Sequence, residues 1–187
     1  MADYTGVGNF YANVTLRGPE QTQIAGACEV LELKAFVSPT VDGLTVVCDQ
    51  ISDAQGDNWA VSARNLSIHL NCPALAALNH DDDVLVYELY LNGRLADEYN
   101  CQPGYFEEEE ESAPLGGDPQ LLCKAFGMPG DPREVARVLR AEGTGEFPFA
   151  VDRHGALLKA LGCPAIPFEY GYRCVENDGG RAEWHTT

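Results

Sequence analysis

The chain has 187 residues, 45% of them hydrophobic, and a formal net charge of −17. That length and apolar content suffice to bury a core without disulfide or metal staples, which argues against global disorder. The acidic excess argues against nucleic-acid and anionic-membrane binding, since both surfaces would repel it.

Residues 9–17 alternate as a strand. Gly18-Pro19-Glu20 reads as a helix start, with Pro19 at the first helical position of a helix over 19–32. Ile24, Ala27, Cys28 and Leu31 share its apolar face. Strands are expected over 34–39 and 44–49, joined by the turn Thr40-Val41-Asp42-Gly43. Residues 50–58 read as a polar loop. Trp59, Ala63, Leu66 and Leu70 then space as one helix face, capped by Asp57 or Asn58 and ended by Cys72-Pro73. A short buried strand is expected over 74–79, then a polar turn at His80-Asp81-Asp82-Asp83. VLVYELYL (84–91) is the clearest strand, Asn92-Gly93 a two-residue hairpin turn, and 94–100 the returning strand. The order β-α-β-β-α-β plus one hairpin strand predicts an α+β, ferredoxin-like sheet.

Residues 101–117 read as a loop containing the acidic run Glu107–Glu111. Asp118-Pro119 and Asp131-Pro132 each place a cap before a proline and predict two short helices. A third is expected over Ala150–Leu161, ending at Gly162, and a final strand over 166–175. The expected organisation is a sheet domain over 1–106, an acidic linker over 107–117, and a mostly helical region over 118–187 packed on the sheet.

No apolar run approaches the ~18 residues of a membrane span. The start, Met1-Ala2-Asp3-Tyr4-Thr5-Gly6, has no secretion-signal pattern, so a cytoplasmic location is expected. The seven cysteines, Cys28, Cys48, Cys72, Cys101, Cys123, Cys163 and Cys174, are odd in number and form no C-x-x-C pair. Reduced, mostly buried thiols are expected rather than a disulfide or metal framework. Two stretches, VYELYLNGRLADEYN (86–100) and FAVDRHGALLKALG (149–162), resemble segments of a family of bacterial cytosolic proteins to which no activity is attached. The resemblance implies a bacterial-type cytosolic protein and nothing about mechanism.

Residues 81–111 hold 11 acidic residues against the single base Arg94. A simple two-residue turn would place Leu85, Tyr87, Leu89 and Leu91 on the core face and would oppose Glu88 to Asp97 on the other. Two opposed carboxylates are unfavourable unless solvent screens them, one is protonated, or a cation sits between them. The sharper expectation is a docking surface for a basic protein partner, formed by Glu88, Tyr90, Asp97 and Tyr99 with Glu107, Glu108, Glu109, Glu110 and Glu111. The plainer one is a solvated sheet face.

His80 and Asp82 are candidate metal ligands by residue type, although adjacent turn residues rarely converge on one ion. His80 and His154 are the candidate catalytic bases. No G-x-S-x-G or phosphate-binding loop occurs, and Gly6-Val7-Gly8 precedes the first strand, so no cofactor is expected. Cys101 and Cys163 have no evident activating base. The leading expectation is a non-enzymatic acidic interaction module of the immunity or inhibitor type. The alternatives are a small-molecule or metal-dependent enzyme with a site between the sheet and the C-terminal helices, and a structural subunit of a larger assembly.

Overall fold

The computed structural model of the protein describes residues 9–105, 113–127, 129–142 and 145–187. The elements are β1 (Tyr11–Arg17), α1 (Gln21–Val30), β2 (Ala35–Val37), β3 (Leu44–Asp49), α2 (Gln50–Asp53), α3 (Val61–Leu70), β4 (Pro73–His80), β5 (Val84–Leu91), β6 (Arg94–Asn100), β7 (Leu115–Gly116), α4 (Pro119–Phe126), α5 (Pro132–Arg140), α6 (Ala150–Ala160), α7 (Tyr172–Asn177) and β8 (His185–Thr186). The strands form one eight-stranded antiparallel sheet in the order β7-β6-β5-β4-β1-β3-β2-β8. The fold is α+β.

Alternation along the strands sorts the side chains into two cores. Val14 and Leu16 of β1, Val37, Val47, Ala74 and Ala76 point one way and pack under α1 and α3. Phe36, Leu44, Val46, Leu75, Leu85, Tyr87 and Leu89 point the other way, under the C-terminal helices. The sheet is thus covered on both faces over its centre, and the C-terminal helices supply the second cover.

Local chemistry sets the element ends. Gln23 Oε1 accepts from the Glu20 backbone N–H at 3.0 Å, which makes Glu20 the cap of α1 and leaves Pro19 outside the helix. Asn92 (φ 51°) and Gly93 (φ 75°) both take the left-handed conformation that a primed hairpin turn requires. Asp118 and Asp131 cap α4 and α5 with their carboxylates, each before its proline. α6 ends at Ala160, and Gly162 follows with φ 75°.

Four expectations fail for physical reasons. Residues 50–53 form α2 rather than loop, because Asp49 Oδ1 accepts from the N–H groups of Ile51 (3.1 Å) and Ser52 (3.0 Å). The cap of α3 is Ala60, not Asp57 or Asn58, and it makes no side-chain bond. The helix is tethered instead by Ser62, whose hydroxyl donates to Asp49 at 2.7 Å, and it stops at Asn71 in the left-handed conformation. Residues 166–175 are not a strand. Asn13 Nδ2 takes the carbonyls of Phe168 and Tyr170 at 2.5 and 2.9 Å, and Asp53 Oδ2 accepts from Arg173 N–H at 3.1 Å, starting α7 from a distant part of the chain. The 101–117 stretch includes the two-residue strand β7, and β8 lies near the C-terminus.

The hairpin register also departs from the simple alternation. Leu91 faces Arg94 and Tyr90 faces Leu95, but a bulge between Leu89 and Tyr90 then brings Asp97 opposite Leu89, Glu98 opposite Glu88, and Tyr99 opposite Tyr87. One extra residue on β6 shifts every later side chain to the other face.

Candidate functional site

The bulge decides which hairpin residues are available. Asp97 faces the C-terminal helices, where its Oδ2 accepts from Tyr87 OH at 2.7 Å and from Asp118 N–H at 2.8 Å. Tyr99 is buried, stacked on Tyr87 with centroids 5.3 Å apart, and its hydroxyl donates to the Leu139 carbonyl at 3.0 Å. Arg153 Nη1 donates to that same hydroxyl at 3.0 Å. The expected pair of Glu88 with Asp97, and the exposed Tyr99, are therefore replaced.

The outer face carries Val86, Glu88 and Tyr90 of β5 opposite Asn100, Glu98 and Leu95 of β6. Glu88 and Tyr90 are half-buried, and Glu98 is exposed. Tyr90 OH donates to the Glu88 carboxylate. Burial and then that carboxylate hold the Tyr90 phenol protonated far above its ordinary range. Leu95 is 49% exposed and Leu115 of the edge strand 66%, so apolar surface flanks the carboxylates. A shallow groove of about 230 Å³ runs across this face, with Val86, Glu88, Glu98, Asn100, Pro103 and Leu115 in its lining. Glu98 and Leu115 were missed by the simple alternation, whereas Leu95 faces Tyr90 on this side in either register. Glu107–Glu111 lie outside the described residues; in sequence they are bracketed by Pro103 and Leu115.

His80 and Asp82 do not converge. His80 pairs with Val84, on the face of α1 and α3, and its Nδ1 lies 2.8 Å from Gln55 Oε1. Asp82 turns to the opposite face, where it accepts from Asn79 Nδ2 (2.7 Å) and from Asn9 N–H (3.1 Å). Among the described residues no group of three or more His, Cys, Asp or Glu side chains is arranged to hold a metal.

His154 is buried inside α6, with Nδ1 3.0 Å from Tyr11 OH and its ring edge-on to Phe168 at 4.9 Å. Burial lowers its imidazole from 6.5 to about 3, so the ring is neutral at pH 7. All seven cysteines are free thiols, three of them buried. Burial raises every one, Cys28 and Cys163 to about 12 and Cys72 to about 11. Neutral pH thus leaves them as unreactive thiols.

Arg153 is a buried cation without a carboxylate partner among the described residues. Its guanidinium donates to the Val138 and Ala141 carbonyls at 2.9 and 3.0 Å and lies over the Phe147 ring. It therefore closes the negative end of α5 and supports Tyr99 from below. His154, the neighbouring candidate base, is buried in the same helical layer rather than facing an open cleft.

No helix among the described residues is long and apolar enough to cross a membrane. No family model, no curated protein and no solved structure matches this chain.

Proposed function

We propose that this protein is a non-catalytic docking module whose outer β5–β6 face receives a basic polypeptide segment, in the manner of an inhibitor or immunity protein. The observation that carries the reading is the direct opposition of Glu88 and Glu98 on an exposed face flanked by Leu95 and Leu115. Like charges directly opposed across two strands destabilise the sheet that carries them. A cation between them removes that cost, and an arginine fork matches two carboxylates in geometry as well as charge. Tyr90 and Leu95 add the aromatic and apolar contact that interface centres favour. The surrounding field steers the partner, since residues 81–111 carry 11 acidic residues and one base.

The scaffold reading that accompanies this is a ferredoxin-like unit over β1 to β4. Its support is the strand order β4-β1-β3-β2 with α1 and α3 sharing one face. β5–β7 then extend that sheet beyond the two helices and leave the docking face open.

The test compares capture of basic proteins from host lysate by the native chain and by the double variant Glu88→Lys/Glu98→Lys, at low and high salt. A basic protein held by the native chain at low salt, shed at high salt, and lost by the double variant supports the reading. Equal capture by both chains removes the face from the account.

A further inference from the structure

Tyr11, Asn13 and Thr15 alternate along β1 onto the face covered by α6 and the Phe168–Tyr170 segment, and Asn79 lies beside Tyr11 on β4. Together with His154 these polar side chains are at most 1% exposed. Asn79 Nδ2 donates to Asp82 Oδ1 at 2.7 Å. The Tyr11 hydroxyl lies 3.0 Å from His154 Nδ1, and either group can be the donor there. A neutral imidazole that accepts at Nδ1 carries its own proton on Nε2.

Four polar atoms of this group, His154 Nε2, Asn13 Oδ1, Asn79 Oδ1 and Thr15 Oγ1, are buried without a hydrogen-bond partner among the described residues. The Asn13 amide cannot be reversed to remedy this, because its nitrogen already serves the Phe168 and Tyr170 carbonyls. Phe168 links two of these residues, with its carbonyl on Asn13 and its ring against His154 at 4.9 Å. These unpaired groups share the sheet face beneath α6 and the Phe168–Tyr170 segment, and each carries the desolvation cost of an unmade bond.

We propose that this seam binds a small neutral hydrogen-bonding guest that accepts from His154 Nε2–H and donates to the amide oxygens of Asn13 and Asn79. An anion is disfavoured by the two amide oxygens and the nearby Asp82. A cation is disfavoured by the imidazole N–H. Water has the required two donors and two acceptors, and a small amide or alcohol offers the same complement. The site is on the sheet face opposite the docking surface and is independent of it.

Long-range imidazole 15N–1H correlation on the full chain reads the His154 tautomer, and water-selective cross-relaxation reads contact at Nε2–H. Native mass spectrometry of the same sample reads a retained solute. An Nε2–H tautomer with a water cross-peak identifies water as the guest. The same tautomer with added mass and no water cross-peak identifies a solute. The proposal is overturned by an Nδ1–H tautomer, or by an Nε2–H with neither a water contact nor a retained molecule.

Discussion

Replacing Asp97 and replacing Glu98 have opposite consequences for stability, because the β6 bulge sends these adjacent carboxylates to opposite faces. Asp97 Oδ2 holds two bonds, from Tyr87 OH at 2.7 Å and from Asp118 N–H at 2.8 Å, and Tyr87 is buried. Hydrogen bonds to a charged group contribute about 1.5–3 kcal/mol each, less where solvent reaches them. Asp97→Ala is therefore expected to cost about 3 kcal/mol. Glu98 is exposed and opposes Glu88 across the strand pair. Glu98→Lys turns that repulsion into attraction and is expected to stabilise by about 0.5–1 kcal/mol. Urea unfolding followed by the fluorescence of Trp59 and Trp184 measures both. A hairpin without the bulge predicts the reverse, with Asp97 as the repelled residue and Glu98 facing the core. An Asp97→Ala variant that loses less than about 0.5 kcal/mol, or gains stability, would refute the register argument.

Three further outcomes follow from the covered face. The folded His154 imidazole, at about 3, lies below its unfolded value of 6.5, so unfolding takes up a proton between those limits. Its contribution is intact above pH 6.5 and declines as pH falls toward 3, by about 5 kcal/mol in all. The ring-proton shift should stay that of neutral imidazole through pH 5, and titration near 6.5 would contradict the burial. Arg153→Met abandons the Tyr99 hydroxyl and the Val138 and Ala141 carbonyls and should cost on the order of 3 kcal/mol, with only part restored in Arg153→Lys. Equal melting temperatures in Arg153→Met and the native chain would remove that role. At Gly171 an added Cβ would lie 2.0 Å from Asp53 Oδ1 and 3.2 Å from the Tyr11 backbone. Gly171→Ala should loosen the Asp53–Arg173 pair and speed amide exchange across α7, and unchanged exchange there would show that the contact can relax.

Features written in adjacent residues were legible in the sequence. Asn92-Gly93, Asp118-Pro119, Asp131-Pro132 and Gly162 mark their turns and helix ends through backbone chemistry that needs no distant partner. The α+β class was legible for the same reason, since it follows from alternating strands and helical spacing. What failed depended on distant contacts. IPFEYGYRCV alternates like a strand, yet Asn13 captures its carbonyls and Asp53 captures Arg173, and neither partner is near in sequence. Asn13 and Thr15 look like the solvated side of a strand, and only the C-terminal region's packing buries them. The docking face was half legible. Glu88, Tyr90 and Leu95 follow from simple alternation, whereas the exchange of Asp97 and Tyr99 for Glu98 and Asn100 follows from a bulge that no turn residue announces. The two-residue strands β7 and β8 are too short to leave a periodic signal.

The most direct test of the docking account is a chemical-shift map of the labelled chain titrated with a synthetic extended peptide rich in arginine and lysine, at low and high salt. The account predicts shifts at Val86, Glu88, Tyr90, Leu95 and Glu98 that fade at high salt and vanish in Glu88→Lys/Glu98→Lys. Shifts scattered over other acidic surfaces, or unaltered in the double variant, would contradict it.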